Sequence, residues 1–442
     1  MSILSARPGT APFNMPTAEQ AEIQLSRRAH LAAGQPISTL MAQALANPEL
    51  ISLAAGFVDQ ASLPVELTGE TVREMFADPT AARAALQYGT TVGFPPLRET
   101  LLEWMRAQDA RASRYPNLTT DQIVVTAGSN QLLQIVADTL FEPGDIVLCA
   151  APSYFVFLGT LANLGVRTIG VATDEEGLVP EALDECFARL EAAGDLPRVK
   201  SLYCVSYFDN PCGISLAEDR RPRILDIVKR WSQETHIFVI EDVAYRELRY
   251  AGDDVPSMRA FDETGDTVIL AGTFSKSYSP GIRVGWGVLP DALVEPVLAM
   301  KGNVDFGSPN FAQHLIHRVL QSGRFDAHVE RLRGAYRVKM DAMLAAAEEF
   351  LRPLDGGRWI APRGGLYVWV ELPPGVNAGP QGRLFAEAQN AGVLYVPGEY
   401  CYPQEGVRKT NSLRLSFGVQ SPQNIRRGME ALAGAVRRVT GQ

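Results

Sequence analysis

A lysine, Lys276, stands in the run AGTFSKSYSPGIRVGWG among four hydroxyl residues, Thr273, Ser275, Ser277 and Ser279. Arg283 follows just beyond a Pro-Gly turn. An amine of this kind can hold a carbonyl carbon as a Schiff base. Hydroxyls and a guanidinium beside it can cradle an anion. Apolar residues flank the run, Val268, Ile269 and Leu270 before it and Ile282, Val284 and Trp286 after it, so the polar stretch lies between two expected strands. A surface loop also accounts for such a stretch, and the rest of the chain has to decide between the two.

The elements that would position these groups alternate along the chain from about residue 60. QIVVTAG, IVLCAAP, SLYCVSYF, IFVIED and TVILAGTFS read as buried strands, while PLRETLLEWMRAQ, which opens on proline, and SNQLLQIVADTLF read as helices. Apolar strands alternating with helices predict an α/β unit with a largely parallel sheet. Beyond residue 288, long helices are expected at about 291–301 and 308–350. The strands GLYVWVEL and SLRLSFGV and a helix near 422–439 then suggest a smaller α+β C-terminal domain. The expected division is an N-terminal arm and segment packing near the active site over 1–58, a large α/β domain over 59–305 and a small domain over 306–442. Within the arm, AEQAEIQLSRRAHLAA carries a helical pattern.

In an open α/β sheet, ligands sit beyond the carboxyl ends of the strands. Gly128, Ser129 and Asn130 open a helix there, where free N–H groups bind anions. Tyr154 follows IVLCAAP, Asn210 stands before a Pro-x-Gly turn in DNPCG, and Asp242 ends IFVIED with Tyr245 three residues on. Thr273, Ser275 and Lys276 end the next strand. Singly, each has an ordinary reading: a helix cap, a turn, a surface charge, a solvated lysine, a core tyrosine. Together they would have to reach successive strand ends by coincidence.

One chemistry uses all of them. Pyridoxal phosphate needs a lysine for its aldehyde and a carboxylate that keeps its ring nitrogen protonated. It also needs donors to its phenolic oxygen, a flat group against its face and a cup for its phosphate, which Gly128, Ser129, Thr273, Ser275 and Arg283 can supply.

Nearly the whole chain, from ISLAAGF to SLRLSFG, resembles the fold-type-I pyridoxal-phosphate aminotransferases of class I/II. It looks nearest the branch that includes aminoadipate and kynurenine aminotransferases. The resemblance rests on SKSYSPGIRVGW, EDVAYREL, YFDNPCG, PRGGLYVWVEL and LRLSF. It implies transamination with ping-pong kinetics through a Schiff base on Lys276. It also implies that Asp242 pairs with the ring nitrogen, that Asn210 and Tyr245 contact the phenolic oxygen and that Tyr154 stacks on the ring. Ser129, Asn130, Ser275 and Arg283 would take the phosphate. Arg414 would take the substrate α-carboxylate with Asn210 assisting, and Gly56 would join the substrate site. Tyr88 in LQYGTTVG would reach the cofactor of a neighbouring subunit, which implies a homodimer. Asp209 and Cys212 depart from the family's usual glutamine and threonine, and Cys212 reads either as a small turn residue or as a thiol near the cofactor.

Two other readings share these features. Another pyridoxal-phosphate reaction, such as β-elimination from a cysteine conjugate, would use the same set of residues. A cofactor-sensing regulator would carry a DNA-binding domain ahead of this half, and the residues before ISLAAGF show no basic recognition helix.

Composition sets the outer limits. The 442 residues are 46% hydrophobic and 21% charged, and a net charge of −9 is not that of a protein built to coat nucleic acid or an anionic membrane. No apolar run approaches a bilayer span and the N-terminus lacks a signal pattern, so a cytoplasmic protein is expected. Five scattered cysteines fit a reducing compartment, and neither they nor the five histidines, His314 and His317 included, have metal-like spacing. Acid-selective family members carry Pro-Ile-Arg in the arm; here Pro36 and Ile37 are followed by Ser38, which predicts neutral aliphatic or aromatic donors, with 2-oxoglutarate as a possible acceptor.

Overall fold

The computed structural model describes residues 23–32, 40, 47, 49–110, 118–354 and 356–441. Its main sheet has eight strands among the described residues. From one edge to the other they are Ile123–Thr126, Gly285–Val288, Val268–Thr273, Phe238–Asp242, Val199–Val205, Ile146–Ala151, Arg167–Asp174 and Gly177–Leu178. Only Gly285–Val288 and Gly177–Leu178 run against the rest. All of the six parallel strands but Arg167–Asp174 are apolar over most of their length, because helices such as Ser129–Leu140, Phe155–Asn163 and Arg220–Trp231 cover the sheet. The register sets Val205, Asp242 and Ala271 side by side, so three chain reversals open at one edge of the sheet.

A smaller antiparallel sheet follows, in the order Arg358–Trp359, Tyr367–Glu371, Ser412–Ser416, Val396–Pro397. Arg414 lies at its centre, opposite Trp369 on one side and Val396 on the other. Ile51–Ser52 pairs in parallel with Val393–Leu394, which ties the segment leading to Gly56 to this C-terminal part. The Arg324–Phe350 and Pro422–Thr440 helices back it, burying Met343, Ala347, Met429 and Leu432.

Two expectations are corrected. The stretch 308–350 is two helices, Asn310–Gln321 and Arg324–Phe350, because Gly323 adopts φ 69° in the left-handed region and ends the first one. The helix begun at Asp291 also runs on to Asp305, beyond the expected residue 301. In the arm, the described residues include the short helix Arg27–Leu31, where Ser26 Oγ accepts from the Ala29 N–H, and Leu40 is helical as well. Arg28 is anchored to Asp138 at 2.6 Å. Pro36, Ile37 and Ser38 lie outside the described residues.

Candidate active site

Asp242 is the last residue of its strand and is buried, with its carboxylate in a cavity of about 400 Å³. Oδ1 accepts from the Ala244 N–H at 3.0 Å and Oδ2 from the Tyr203 hydroxyl at 3.2 Å. Burial pushes its pKa up to about 6, against the pull of those two donors and of Lys276. Lys276 follows the neighbouring strand. Its Nζ donates to the Gly56 carbonyl at 3.0 Å and stands 5.9 Å from the centre of the Tyr245 ring. An amine and a buried carboxylate thus face one cavity from adjacent strands.

The anion cup is built from close-packed backbone. Gly128 (φ 83°) precedes the Ser129–Leu140 helix, and no side chain caps that helix start. Gly285 passes so near that a Cβ there would sit 2.5 Å from the Ser129 nitrogen, so only glycine fits. Arg283 holds φ 50°, a left-handed conformation that a non-glycine residue adopts at a cost of about 1–3 kcal/mol. That backbone aims its guanidinium across the cup: Nη2 donates to the Ala127 carbonyl at 3.0 Å and Nη1 to the Pro280 carbonyl at 3.2 Å, with Ser275 Oγ at 3.5 Å. Thr273 Oγ1 donates to Ser275 Oγ at 2.9 Å, which links both hydroxyls to the Arg283 guanidinium.

Arg414 closes the opposite side. It is buried, yet its hydrogen-bond partners are neutral: Asn210 Oδ1 at 2.7 Å and the Ala54 carbonyl at 2.7 Å, with Nε bonded to nothing. Its guanidinium lies 4.3 Å from the Tyr367 ring centre and 5.4 Å from that of Phe155. A buried cation supported only by dipoles and ring faces is a ready receptor for a carboxylate.

Residues 48–432 match the family described as "Aminotransferase class I and II". The chain belongs to this family. An aromatic-amino-acid aminotransferase of Thermococcus litoralis is 35% identical over 88% of each chain. A 2-aminoadipate transaminase of Thermus thermophilus is 33% identical over 88% of this chain and 91% of its own. The crystal structure of the kynurenine aminotransferase of Pyrococcus horikoshii superposes with a TM-score of 0.85 at 32% identity, covering 94% of this chain and 97% of that one. The fold is accordingly that of the fold-type-I aminotransferases, with a mostly parallel large sheet and a small C-terminal antiparallel sheet.

In this aminotransferase chain, the cavity brings together the residues singled out from sequence with two exceptions. Gly56, Ser129, Asn130 and Tyr154 line it, as do Asn210, Tyr245, Thr273 and Ser275, together with Asp242, Lys276, Arg283 and Arg414. Gly128 stands just behind the cup, and a Cβ on it would meet Arg283 Nη2 at 2.6 Å. Tyr88 does not line this cavity. It is 82% exposed and sets its ring edge-on to Phe306. The Tyr154 hydroxyl donates to Asn130 Oδ1 at 3.3 Å, so part of Asn130 is engaged with that tyrosine.

Sequence reasoning missed Tyr203, which donates to Asp242, and did not single out Phe57, Phe155 or Tyr367 in the lining. The Tyr367 hydroxyl sits 3.1 Å from that of Tyr245. Tyr203 and Tyr367 lie inside apolar strands, where an aromatic residue reads as packing. The two departures from the family pattern, Asp209 and Cys212, are joined in one turn. Asp209 Oδ1 accepts from the Cys212 and Ile214 N–H groups at 3.1 and 2.9 Å, and burial pushes its pKa up to about 7. Cys212 is buried in that turn, and burial holds its thiol well above the usual range, which disfavours the thiolate.

Proposed function

We propose that this chain is a pyridoxal-phosphate-dependent aminotransferase that moves an amino group from an α-amino acid to a 2-oxo acid by ping-pong kinetics, acting as a homodimer in the cytoplasm. The observation that carries the reading is the convergence of an amine, a buried carboxylate, an anion cup and a buried, carboxylate-free guanidinium on one cavity. The buried cation Arg414 and the capless helix start at Gly128 both call for anions that the protein itself does not provide. A cofactor phosphate and a substrate carboxylate fit those two demands.

Lys276 would hold the cofactor aldehyde, Asp242 the ring nitrogen, Asn210 and Tyr245 the phenolic oxygen, and Tyr154 the ring face. The hydroxyls of Ser129, Thr273 and Ser275, the Gly128 turn, Asn130 and Arg283 would hold the phosphate. When bound, the cofactor supplies an electron sink for the α-carbon of the substrate. Arg414, steadied by Asn210, orients the substrate through its α-carboxylate. Lys276 Nζ, a lining group of the cavity, would once free take the α-proton as general base. The Asp242 carboxylate, destabilised by burial when alone, gains a cationic partner and stays ionised.

Among the described residues, the cations lining the cavity are Lys276, Arg283 and Arg414, and each is already used. The remaining walls include Phe57, Phe155 and Val156. That supports donors with neutral aliphatic or aromatic side chains. The five cysteines are free and buried, which fits a reducing compartment. No helix among the described residues is long and apolar enough to cross a membrane.

The test is direct. Purified protein carrying its cofactor is mixed with single amino acids, and absorption is followed for conversion to the aminated cofactor. Conversion by neutral α-amino acids, reversed by a 2-oxo acid, is expected. Lys276→Ala should retain cofactor through the cup and lose multiple turnover; near wild-type turnover by that variant would overturn the assignment.

A further inference from the structure

We propose that Lys301 is a positioning residue for the anion cup, acting through a partly buried relay, Lys301–Asp305–Gln131, that grips the Ala127 peptide from behind. The proposal rests on reading the cup as the cofactor's phosphate site. Lys301 belongs to the Asp291–Asp305 helix, is not among the residues that line the cavity and has a fully buried side chain. Its Nζ donates to both oxygens of Asp305, at 2.9 and 3.1 Å. Asp305 Oδ2 also accepts from Gln131 Nε2 at 2.8 Å and from Ser308 Oγ at 3.0 Å. Gln131 then presents its Oε1 to the Ala127 N–H at 2.7 Å. The carbonyl of that same Ala127 receives Arg283 Nη2 at 3.0 Å.

A core ion pair that only stabilises the helix end would need none of the later links. The polarity of the relay argues for more. Gln131 can satisfy the Ala127 N–H only with its oxygen, and it is held in that orientation because its nitrogen faces a carboxylate. Lys301 holds that carboxylate in place by donating to both of its oxygens. Burial alone disfavours the ammonium, and the Asp305 bonds oppose that pull. Without Lys301 the Asp305 carboxylate, 18% exposed, would lose its cationic partner and be free to turn toward water. Gln131 would lose its anchor. Ala127 would then relax, and with it the turn at Gly128 and one of the two carbonyls that aim Arg283. Gly285 packs against Gly128 so tightly that a small shift there reaches the N–H groups of the cup.

The experiment measures dissociation constants of cofactor-free protein for three probes: pyridoxal phosphate, pyridoxal, which lacks the phosphate, and inorganic phosphate. Lys301→Met should weaken pyridoxal phosphate and inorganic phosphate about tenfold, the scale for losing a partner that orients a ligand-binding group. It should leave pyridoxal unchanged. Gln131→Leu keeps the Lys301–Asp305 pair and breaks the relay one link later, so it guards against a variant that fails to fold. The same selective loss is expected from it. Equal weakening of pyridoxal phosphate and pyridoxal, or no weakening in Gln131→Leu, would overturn the relay and leave a plain structural ion pair. A wild-type protein with no preference for the phosphorylated probe would sink the cofactor reading itself and this proposal with it.

Discussion

Arg414 Nη1 lies 2.7 Å from Asn210 Oδ1, joining residues 204 positions apart, one from the small antiparallel sheet and one from a turn at the edge of the large sheet. Both are buried. The Asp209 carboxylate locks that turn by accepting two backbone N–H groups, so the asparagine is presented rigidly. The contact steadies the guanidinium while leaving Nε free.

Arg414→Ala should therefore lower kcat/KM for every α-amino acid by about tenfold to a hundredfold, the value of a charge-assisted hydrogen-bond pair to a carboxylate. Initial rates with leucine and phenylalanine check it. A loss confined to one of the two would move Arg414 from the α-carboxylate to the side-chain pocket.

Asp242 gives a pH prediction for the cofactor-free protein. Its folded pKa of about 6 lies above the ordinary carboxylate value, so the folded state holds its proton more tightly than the unfolded chain does. This contribution is present at low pH and is lost as pH rises through about 6. Relative to Asp242→Asn, the wild type should lose on the order of 2 kcal/mol between about pH 4 and pH 7. Denaturant unfolding of both proteins across that range measures it, and a pH-independent gap would remove the burial effect assigned to Asp242. Adding cofactor should flatten the slope, because a ring-nitrogen cation gives the carboxylate a partner. The same variant should bind cofactor and lose most of its turnover.

The legibility of these features in the sequence follows from their physics. Strands covered on both faces are continuous apolar runs, so IVVT, IVLCAA and VILAGT declared themselves, and with them the edge where Asp242 and Lys276 emerge. Tyr203 was hidden for the same reason. Its function depends on register, which brings Ile240 beside it and Asp242 two residues farther along the same face. The break at Gly323 was missed because both flanking segments keep helical periodicity, and only the left-handed backbone separates them. Arg414 stands amid Leu413 and Leu415 in a strand, where periodicity alone would make it an anomaly. Its identification came from family resemblance, and the structure adds that its partners are neutral.

Tyr88 tests the shared site. It stands with Leu86, Val304 and Phe306 among exposed apolar residues, away from the cavity of its own chain. If it serves a neighbouring subunit, the protein sediments as a dimer, and Tyr88→Phe weakens cofactor affinity by about tenfold, the value of one hydrogen bond to a charged group. A monomer fully active at high dilution would contradict the shared site.

The substrate side chain is the last test. Setting a distal carboxylate in a partly dry pocket without a cation costs several kcal/mol. The described lining offers three cations, and the proposed function assigns all of them to the cofactor and the α-carboxylate. Arg28, a basic residue of the arm, is instead paired with Asp138. Leu40 and Leu53 are buried and apolar. Leucine, phenylalanine and kynurenine should accordingly exceed aminoadipate in kcat/KM when measured with one fixed acceptor. If aminoadipate leads by about tenfold, equal to about 1.4 kcal/mol in the barrier, a fourth cation serves the pocket. Arg27 is then the first residue to replace, since it carries no ion pair among the described residues and stands beside Arg28 at the start of the arm helix.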